Sequence, residues 1–234
     1  MTKIFYDGCD IKKFATYPNV VGFTTNTTIM RQSNQLNYKT FYDAHQELIG
    51  ERPISFQIFS DDPDVVKTQA RQISSMGSNI YVKIPVINSK GESLLTTISD
   101  LLHENIKVNI TAVFTQTQLD SIHDTLRLCQ CGKNTACIVS VFGGRISDTG
   151  VVPKDIIQYA VTLFKDLNWV EILWAGVKDN LILQQADDVS CHIVTLPDAI
   201  MSRINRIGQS LDNLSQDTVA SFLKDAINGK LTIL

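Results

Sequence analysis

Residues 63–114 read PDVVKTQARQISSMGSNIYVKIPVINSKGESLLTTISDLLHENIKVNITAVF. Two short β-branched runs stand out in this stretch, Asn79–Ile84 and Lys107–Phe114. Each follows a longer segment, Pro63–Met76 or Ser89–His103, in which apolar residues recur at helical spacing. The stretch therefore predicts two successive helix–strand units of an α/β fold.

The same alternation continues in both directions along the chain. Eight short apolar runs, each bounded by turn residues, are typical of strands. They are Lys3–Tyr6, Val20–Thr24, Ile54–Phe59, Asn79–Ile84, Lys107–Phe114, Ala136–Phe142, Val170–Ala175 and His192–Leu196. Eight β-then-α units in about 200 residues predict a parallel sheet closed as a single (β/α)8 TIM barrel. An open, doubly wound sheet is the alternative, because the number of strands does not prove closure.

Composition excludes several classes of protein. The chain has 234 residues, 44% hydrophobic and 19% charged, with a formal net charge of −3, so no basic field for nucleic acid is expected. No apolar run approaches the ~20 residues that span a membrane. Asp7 and Asp10 come too early for a secretory signal, and five cysteines are expected as reduced thiols. We expect a cytoplasmic protein with one domain, residues 1–234.

Residues 215–234 extend beyond the eighth unit and predict an extra C-terminal helix. Its apolar stripe consists of Val219, Phe222, Leu223, Ala226 and Ile227. Two interpretations remain open: the helix packs as a lid on its own barrel, or it docks against a neighbouring subunit.

Polar residues stand at the carboxyl ends of the predicted strands, where a TIM barrel carries its chemistry. In chain order they are Asp7, Thr25, Asn26, Gln57, Lys83, Asn109, Thr111 and Ser140, and the seventh strand ends in Trp174-Ala175-Gly176. We expect these residues to surround one site.

Lys83 is the strongest candidate for a catalytic residue, because its neighbours in residues 80–86 are all apolar. Burial lowers the pKa of an ammonium group and yields a neutral amine, which can form a Schiff base with a carbonyl substrate. The alternative is a snorkelling or edge-strand lysine, although a closed barrel has no edge. Asp7 is a candidate general base, or else the cap of the next helix.

Two glycine-containing turns predict an anion site. Arg145 follows Gly143-Gly144 after the sixth strand, and Lys178 follows Gly176 after the seventh. Glycines let backbone amides approach an anion, so these turns suggest a phosphate clamp. A solvated arginine on a turn is the alternative.

Cysteine and histidine spacing gives little support to a metal site. Cys129-x-Cys131, with Cys137 and His123 nearby, lacks the paired spacing of zinc ligands. We expect neither a metal nor a cofactor.

Six segments, in this order, resemble motifs of the transaldolase family, in particular its small members and the related fructose-6-phosphate aldolases. They are Lys3–Asp7 (KIFYD), Gly22–Asn26 (GFTTN), Tyr81–Pro85 (YVKIP), Asn109–Phe114 (NITAVF) followed by Gln118, Ser140–Ile146 (SVFGGRI) and Ile193–Pro197 (IVTLP). The resemblance covers nearly the whole chain and implies a TIM barrel.

The resemblance also implies roles. Lys83 would form a Schiff base with a ketose phosphate, and Asp7 would act as acid and base on the hydroxyl next to the C–C bond that breaks. The other implied site residues position the sugar, its phosphate or a water: Thr25, Asn26, Gln57, Asn109, Thr111, Ser140, Phe142, Arg145, Gly176 and Lys178. Sugar-phosphate substrates, no cofactor and a homo-oligomer formed through the C-terminal helix follow from the same resemblance.

The chain departs from the family pattern at four positions. Thr27 replaces a proline, and Gln57 replaces the glutamate with which transaldolases activate water. Phe142 stands where the aldolase branch has tyrosine, and Gly176 where a phosphate-contacting serine is usual. The leading interpretation is a transaldolase that moves a dihydroxyacetone unit between sugar phosphates, as in the pentose phosphate pathway. The alternatives are a fructose-6-phosphate aldolase-like lyase and a catalytically weakened sugar-phosphate-binding protein.

Overall fold

Eight parallel strands close into one barrel in the computed structural model, which describes residues 1–129 and 136–233. Each strand pairs with the next along the chain, and the last pairs with the first. The strands are β1 (Lys3–Asp7), β2 (Val20–Thr24), β3 (Ile54–Gln57), β4 (Ile80–Pro85), β5 (Val108–Val113), β6 (Cys137–Val141), β7 (Val170–Trp174) and β8 (Ile193–Pro197). The predicted (β/α)8 barrel is confirmed, and the open doubly wound sheet was the wrong alternative.

Helices alternate with the strands. They are α1 (Ile11–Phe14), α2 (Thr27–Gln32), α3 (Tyr38–Ile49), α4 (Pro63–Ser74), α5 (Leu95–His103), α6 (Gln116–Leu128), α7 (Gly143–Asp148), α8 (Pro153–Leu163), α9 (Leu181–Asp188), α10 (Asp198–Met201) and α11 (Leu211–Asn228). In the described residues, none of these helices has the length and apolar character that crossing a membrane requires.

The start of α4 shows how local sequence sets a helix boundary. The Asp62 side chain accepts hydrogen bonds from the backbone N–H groups of Asp64 (2.9 Å) and Val65 (3.2 Å), and Pro63 occupies the first turn. These contacts satisfy amides that have no partner within the helix.

The helix predicted from Ser89 begins six residues later, at Leu95. Residues 88–92 form a tight turn instead, in which Asn88 Oδ1 accepts hydrogen bonds from the amides of Lys90 (3.0 Å) and Glu92 (2.9 Å). Gly91 has φ +82°, a left-handed conformation that suits glycine. The asparagine–glycine turn therefore overrides the apolar pattern here.

A cluster of buried apolar residues lies next to the polar residues at the strand ends. It consists of Phe5, Ile138, Leu173, Ala175 and Ile193, all buried. Because side chains alternate along a strand, the next inward residues after Phe5 and Ile138 are Asp7 and Ser140. The apolar cluster therefore borders the polar side chains of Asp7 and Ser140.

The chain divides into two compact units, residues 1–201 and 202–234. The second contains α11, which begins at Leu211, four residues before the boundary expected from the sequence. Ser210 Oγ accepts a hydrogen bond from the amide of Asn213 at 3.2 Å and caps this helix. The apolar residues Val219, Phe222, Leu223 and Ile227 are exposed. The single-domain assignment stays a prediction.

Candidate active site

Lys83 points into the barrel from the middle of β4 and is 3% exposed. The strand register places it between Gln57 of β3 and Asn109 of β5. Its Nζ donates a hydrogen bond to the carbonyl oxygen of Thr25 at 3.3 Å. Burial lowers the pKa of Lys83 below its ordinary value, while the charge of Asp7 opposes this. Burial therefore shifts Lys83 toward the neutral amine, the form that attacks a carbonyl carbon.

Asp7 ends β1 and lies half-buried on the same inner surface. Thr24 Oγ1 donates a hydrogen bond to Asp7 Oδ1 at 2.8 Å. Desolvation raises the pKa of Asp7, and the charge of Lys83 and the Thr24 hydrogen bond lower it by less. A carboxyl group whose pKa is raised in this way binds a proton more readily than a solvated one, as a group that accepts and returns a proton requires. The helix-capping alternative belongs to Asp10, whose side chain accepts from the amide of Lys13.

A buried hydrogen-bonded chain crosses the barrel from β3 to β6. Ser140 Oγ donates to Asn109 Oδ1 at 2.7 Å, and Asn109 Nδ2 donates to Ser55 Oγ at 3.0 Å. These contacts fix the orientation of the Asn109 amide beside Lys83. Ser55 was missed from the sequence, although it lies two residues before Gln57 and therefore faces the same side of the strand.

Thr111 has a buried hydroxyl that makes no hydrogen bond within the described residues. The next residue, Ala112, has φ +57°, and the pairing of β5 with β6 shifts register between Ile110 and Val113. Such a bulge redirects side chains and is common beside active sites. The Thr111 hydroxyl is thus available to a substrate or a water molecule.

Thr25 and Asn26 make local contacts at the end of β2. Thr25 Oγ1 donates to the carbonyl oxygen of Ser55 at 2.8 Å, and Asn26 Oδ1 accepts from the amide of Ile29 at 2.9 Å. Asn26 therefore caps α2, and Thr27 is the first residue of that helix. A proline at this position would preset the backbone angle, so Thr27 leaves the loop less constrained.

Gln57 lies at the edge of the site. It lines a cavity of about 330 Å³ between the loops that follow β3 and β4, together with Phe59, Asp61, Pro85 and Asn88. The carbonyl oxygen of Gln57 accepts a hydrogen bond from the Tyr38 hydroxyl at 2.9 Å, which holds the end of β3. The Gln57 amide can orient a water molecule but cannot take a proton from it.

The Phe142 ring lies near both Lys83 and Arg145. Its ring centroid is 5.8 Å from Lys83 Nζ and 5.5 Å from Arg145 Cζ. It also packs on Phe114, with 5.7 Å between the ring centroids. Arg145 itself is exposed on α7. The Phe142 ring therefore lies close to both a buried lysine and an exposed arginine.

The two glycines before Arg145 serve close packing. A Cβ at Gly143 would lie 2.0 Å from Trp174 Nε1, and a Cβ at Gly144 would lie 1.6 Å from the carbonyl oxygen of Gly176. The Gly144 amide donates to the carbonyl oxygen of Ala175 at 3.4 Å. The Gly144 amide is therefore engaged within the protein, and the phosphate clamp at this turn stays a prediction.

Lys178 differs from Arg145 in its surroundings. It is exposed and forms an ion pair with Asp148 of α7, which offsets its charge. Gly176, with φ +71°, brings no side chain to the site. Unlike the charge of Lys178, that of Arg145 is not offset by an ion pair within the described residues.

The region around Cys129 shows no metal-binding cluster in the described residues, where no three His, Cys, Asp or Glu side chains converge. Cys129 is buried, with its Sγ 3.2 Å from Ser99 Oγ. Cys131 lies outside the described residues.

The amino-acid sequence is similar to a known protein family and to individual proteins. It matches the family described as Transaldolase/Fructose-6-phosphate aldolase over residues 4–231. A protein named probable transaldolase from Dehalococcoides mccartyi is 28% identical over 227 residues, covering 95% of this chain and 97% of that protein. Another of the same name from Thermoplasma acidophilum is 29% identical over 229 residues, covering 95% and 94%.

Solved structures share the fold at low identity. A candidate lyase/mutase from Burkholderia cenocepacia J2315 has a TM-score of 0.55 at 12% identity, covering 98% of this chain and 83% of that chain. A candidate fructose-1,6-biphosphate aldolase from Coccidioides immitis has a TM-score of 0.54 at 11% identity, covering 90% and 80%. These likenesses concern the barrel alone. The match over residues 4–231, on a closed barrel with a buried lysine in β4, means that this chain belongs to the transaldolase/fructose-6-phosphate aldolase family.

Proposed function

We propose that this chain is a transaldolase that transfers a dihydroxyacetone unit between sugar phosphates through a Schiff base on Lys83. The observation that carries the proposal is the buried Lys83, with a lowered pKa, beside the half-buried Asp7. The family match supports the same reaction class.

The first step joins the substrate to the enzyme. The neutral amine of Lys83 attacks the C2 carbonyl carbon of a ketose phosphate to give a carbinolamine. The carbinolamine takes one proton from solvent and loses its hydroxyl group as water, which leaves a protonated imine. Asn109 and Ser140 hold hydroxyl groups of the sugar, and Thr111 and Gln57 orient the water. Arg145 binds the phosphate through charge-assisted hydrogen bonds.

The second step breaks the C3–C4 bond. Asp7 takes the proton of the C4 hydroxyl, the C3–C4 electron pair moves into the imine, and an aldehyde phosphate leaves. The three-carbon enamine stays on Lys83 until an acceptor aldehyde arrives, when the same steps run in reverse. Asp7 then returns the proton to the new hydroxyl group.

Gln57 favours a second candidate, an aldolase that releases free dihydroxyacetone. Transaldolases carry a glutamate at this position, whereas the aldolase branch carries glutamine. Product analysis separates the two, because only the aldolase accumulates free dihydroxyacetone when no acceptor is present.

Assembly and location are part of the proposal. The exposed apolar stripe of α11 supports a homo-oligomer, which light scattering of the wild type and of Phe222→Glu tests. The thiols of Cys9, Cys129 and Cys191 suit a reducing compartment, so we place the enzyme in the cytoplasm.

Borohydride trapping with fructose 6-phosphate tests the chemistry. We expect a reduced three-carbon adduct, located on Lys83 by peptide mapping. Folded protein that forms no adduct with several ketose phosphates would favour instead a sugar-phosphate-binding protein without turnover.

A further inference from the structure

Two threonine hydroxyls form a chain that ends on Asp7. Thr24 Oγ1 lies 2.8 Å from Asp7 Oδ1 and 2.6 Å from Thr195 Oγ1. Thr24 pairs with Asp7 across β1 and β2, while Thr195 stands on β8, beside Phe5 of β1. Three neighbouring strands therefore aim these side chains at the same part of the barrel interior, and both threonines are buried.

The direction of the hydrogen bonds follows from the number of protons. A threonine hydroxyl has one proton, and an ionised carboxylate only accepts. The Thr24 proton is therefore directed to Asp7, and the proton between the two threonines must come from Thr195. Both hydrogen bonds point toward Asp7, so that each strengthens the other.

We propose that Thr195 is a positioning residue that acts through Thr24 to keep Asp7 ionised, with one carboxylate oxygen occupied and the other free for proton transfer. The role of Thr195 in turnover rests on the proposed function. Its effect on the charge of Asp7 is inferred from the hydrogen bonds among Asp7, Thr24 and Thr195.

Asp7 needs such support because its surroundings disfavour a negative charge. Desolvation raises its pKa, and among the described residues the titratable groups that interact with its charge are Lys83 of β4 and Cys9. Lys83 helps only while it is protonated, whereas attack on a carbonyl carbon requires the neutral amine. When Lys83 is neutral, the hydrogen bond from Thr24 still stabilises the Asp7 carboxylate, and the hydrogen bond from Thr195 strengthens it.

The test is a titration that needs no substrate. The full-length protein carries ¹³C-labelled aspartate carboxylates, and the Asp7 signal is assigned by its loss in Asp7→Asn. Thr195→Val removes the hydroxyl at nearly constant size, and Thr195→Ser keeps it. Thr97→Val is the matched control, since Thr97 is a buried threonine on α5.

We expect Thr195→Val to raise the titration midpoint of Asp7 by a few tenths of a pH unit, the size of cooperative strengthening in a hydrogen-bond chain. Thr24→Val, which removes the direct donor, should raise it by about one unit. In Thr195→Ser and Thr97→Val, the titration midpoint of Asp7 should equal that of the wild type.

An unchanged midpoint in both Thr195→Val and Thr195→Ala, or a Thr195→Ser midpoint equal to that of Thr195→Val, overturns the proposal. Kinetics separate it from the proposed function. If the enzyme cleaves fructose 6-phosphate, the pH profile of kcat/KM has an acidic limb set by Asp7. In Thr195→Val the apparent pKa of this limb should rise by the same amount as the titration midpoint of Asp7. A shifted midpoint without turnover on any ketose phosphate would support the threonine chain and overturn the proposed reaction.

Discussion

The Nζ atom of Lys83 lies 5.8 Å from the centre of the Phe142 ring. Arg145 Cζ lies 5.5 Å from the same centre. The negative face of an aromatic ring attracts a cation, by about 0.5–1 kcal/mol at a partly exposed position. Phe142 therefore stabilises positive charge at both ends of the proposed site, including the charge that develops on Lys83 in the imine.

Phe142→Tyr keeps this ring and adds a hydroxyl group at its para position. Because the aldolase branch of the family has tyrosine here, we expect a larger share of free dihydroxyacetone when fructose 6-phosphate is supplied without an acceptor. Phe142→Leu is the control, which should lose activity by about two- to five-fold, corresponding to the cation–π energy, without changing the products. An unchanged product ratio in Phe142→Tyr would mean that this position does not decide between transfer to an acceptor and release of dihydroxyacetone.

Lys83→Met should abolish turnover and borohydride trapping while leaving the fold intact. Methionine has nearly the length of lysine and removes an amine whose charged form is disfavoured by burial. We therefore expect a melting temperature equal to or above that of the wild type, by thermal unfolding followed with circular dichroism. Turnover that persists in the folded variant would remove Lys83 from the mechanism.

Gln57→Glu should raise the rate of transfer by at least about ten-fold if activation of water limits the reaction. A carboxylate can take the proton that the Gln57 amide can only orient, and a positioned general base contributes typically 10²–10⁴-fold. Gln72→Glu, on the exposed surface of α4, supplies the same charge change as a control. A rate that stays constant or falls in Gln57→Glu would mean that another step is limiting.

Asp7 makes folding stability depend on pH. Because its pKa is raised in the folded state, Asp7 contributes stability that is complete below its unfolded pKa of about 4. This contribution is lost as the pH rises through the folded pKa. We expect Asp7→Asn to gain stability relative to the wild type over that range, measured by urea denaturation at a series of pH values. A difference between Asp7→Asn and the wild type that stays constant across the pH series would contradict the expectation.

The sequence predicts the barrel and most of the polar layer, because both depend on period-two patterns within single strands. Lys83 and Asn109 were found in this way, and Ser55 was within reach by the same rule. The start of α5 was wrong because the turn at Asn88 competes with the apolar pattern. The pairing of Lys178 with Asp148 and the left-handed Ala112 depend on contacts between strands and loops distant in sequence, which no local pattern contains.

Arg145→Ala should raise KM for fructose 6-phosphate about 10- to 100-fold and change kcat much less. The guanidinium would lose charge-assisted hydrogen bonds to the phosphate, which are worth about 1.5–3 kcal/mol. Lys178→Ala is the matched variant, and we expect a smaller rise in KM because Asp148 already offsets the charge of Lys178. Activity with an unphosphorylated ketose should respond little to either change, since no phosphate is bound. An equal rise in KM in Arg145→Ala and Lys178→Ala would show that Arg145 does not hold the phosphate. So would a loss of kcat with unchanged KM in Arg145→Ala.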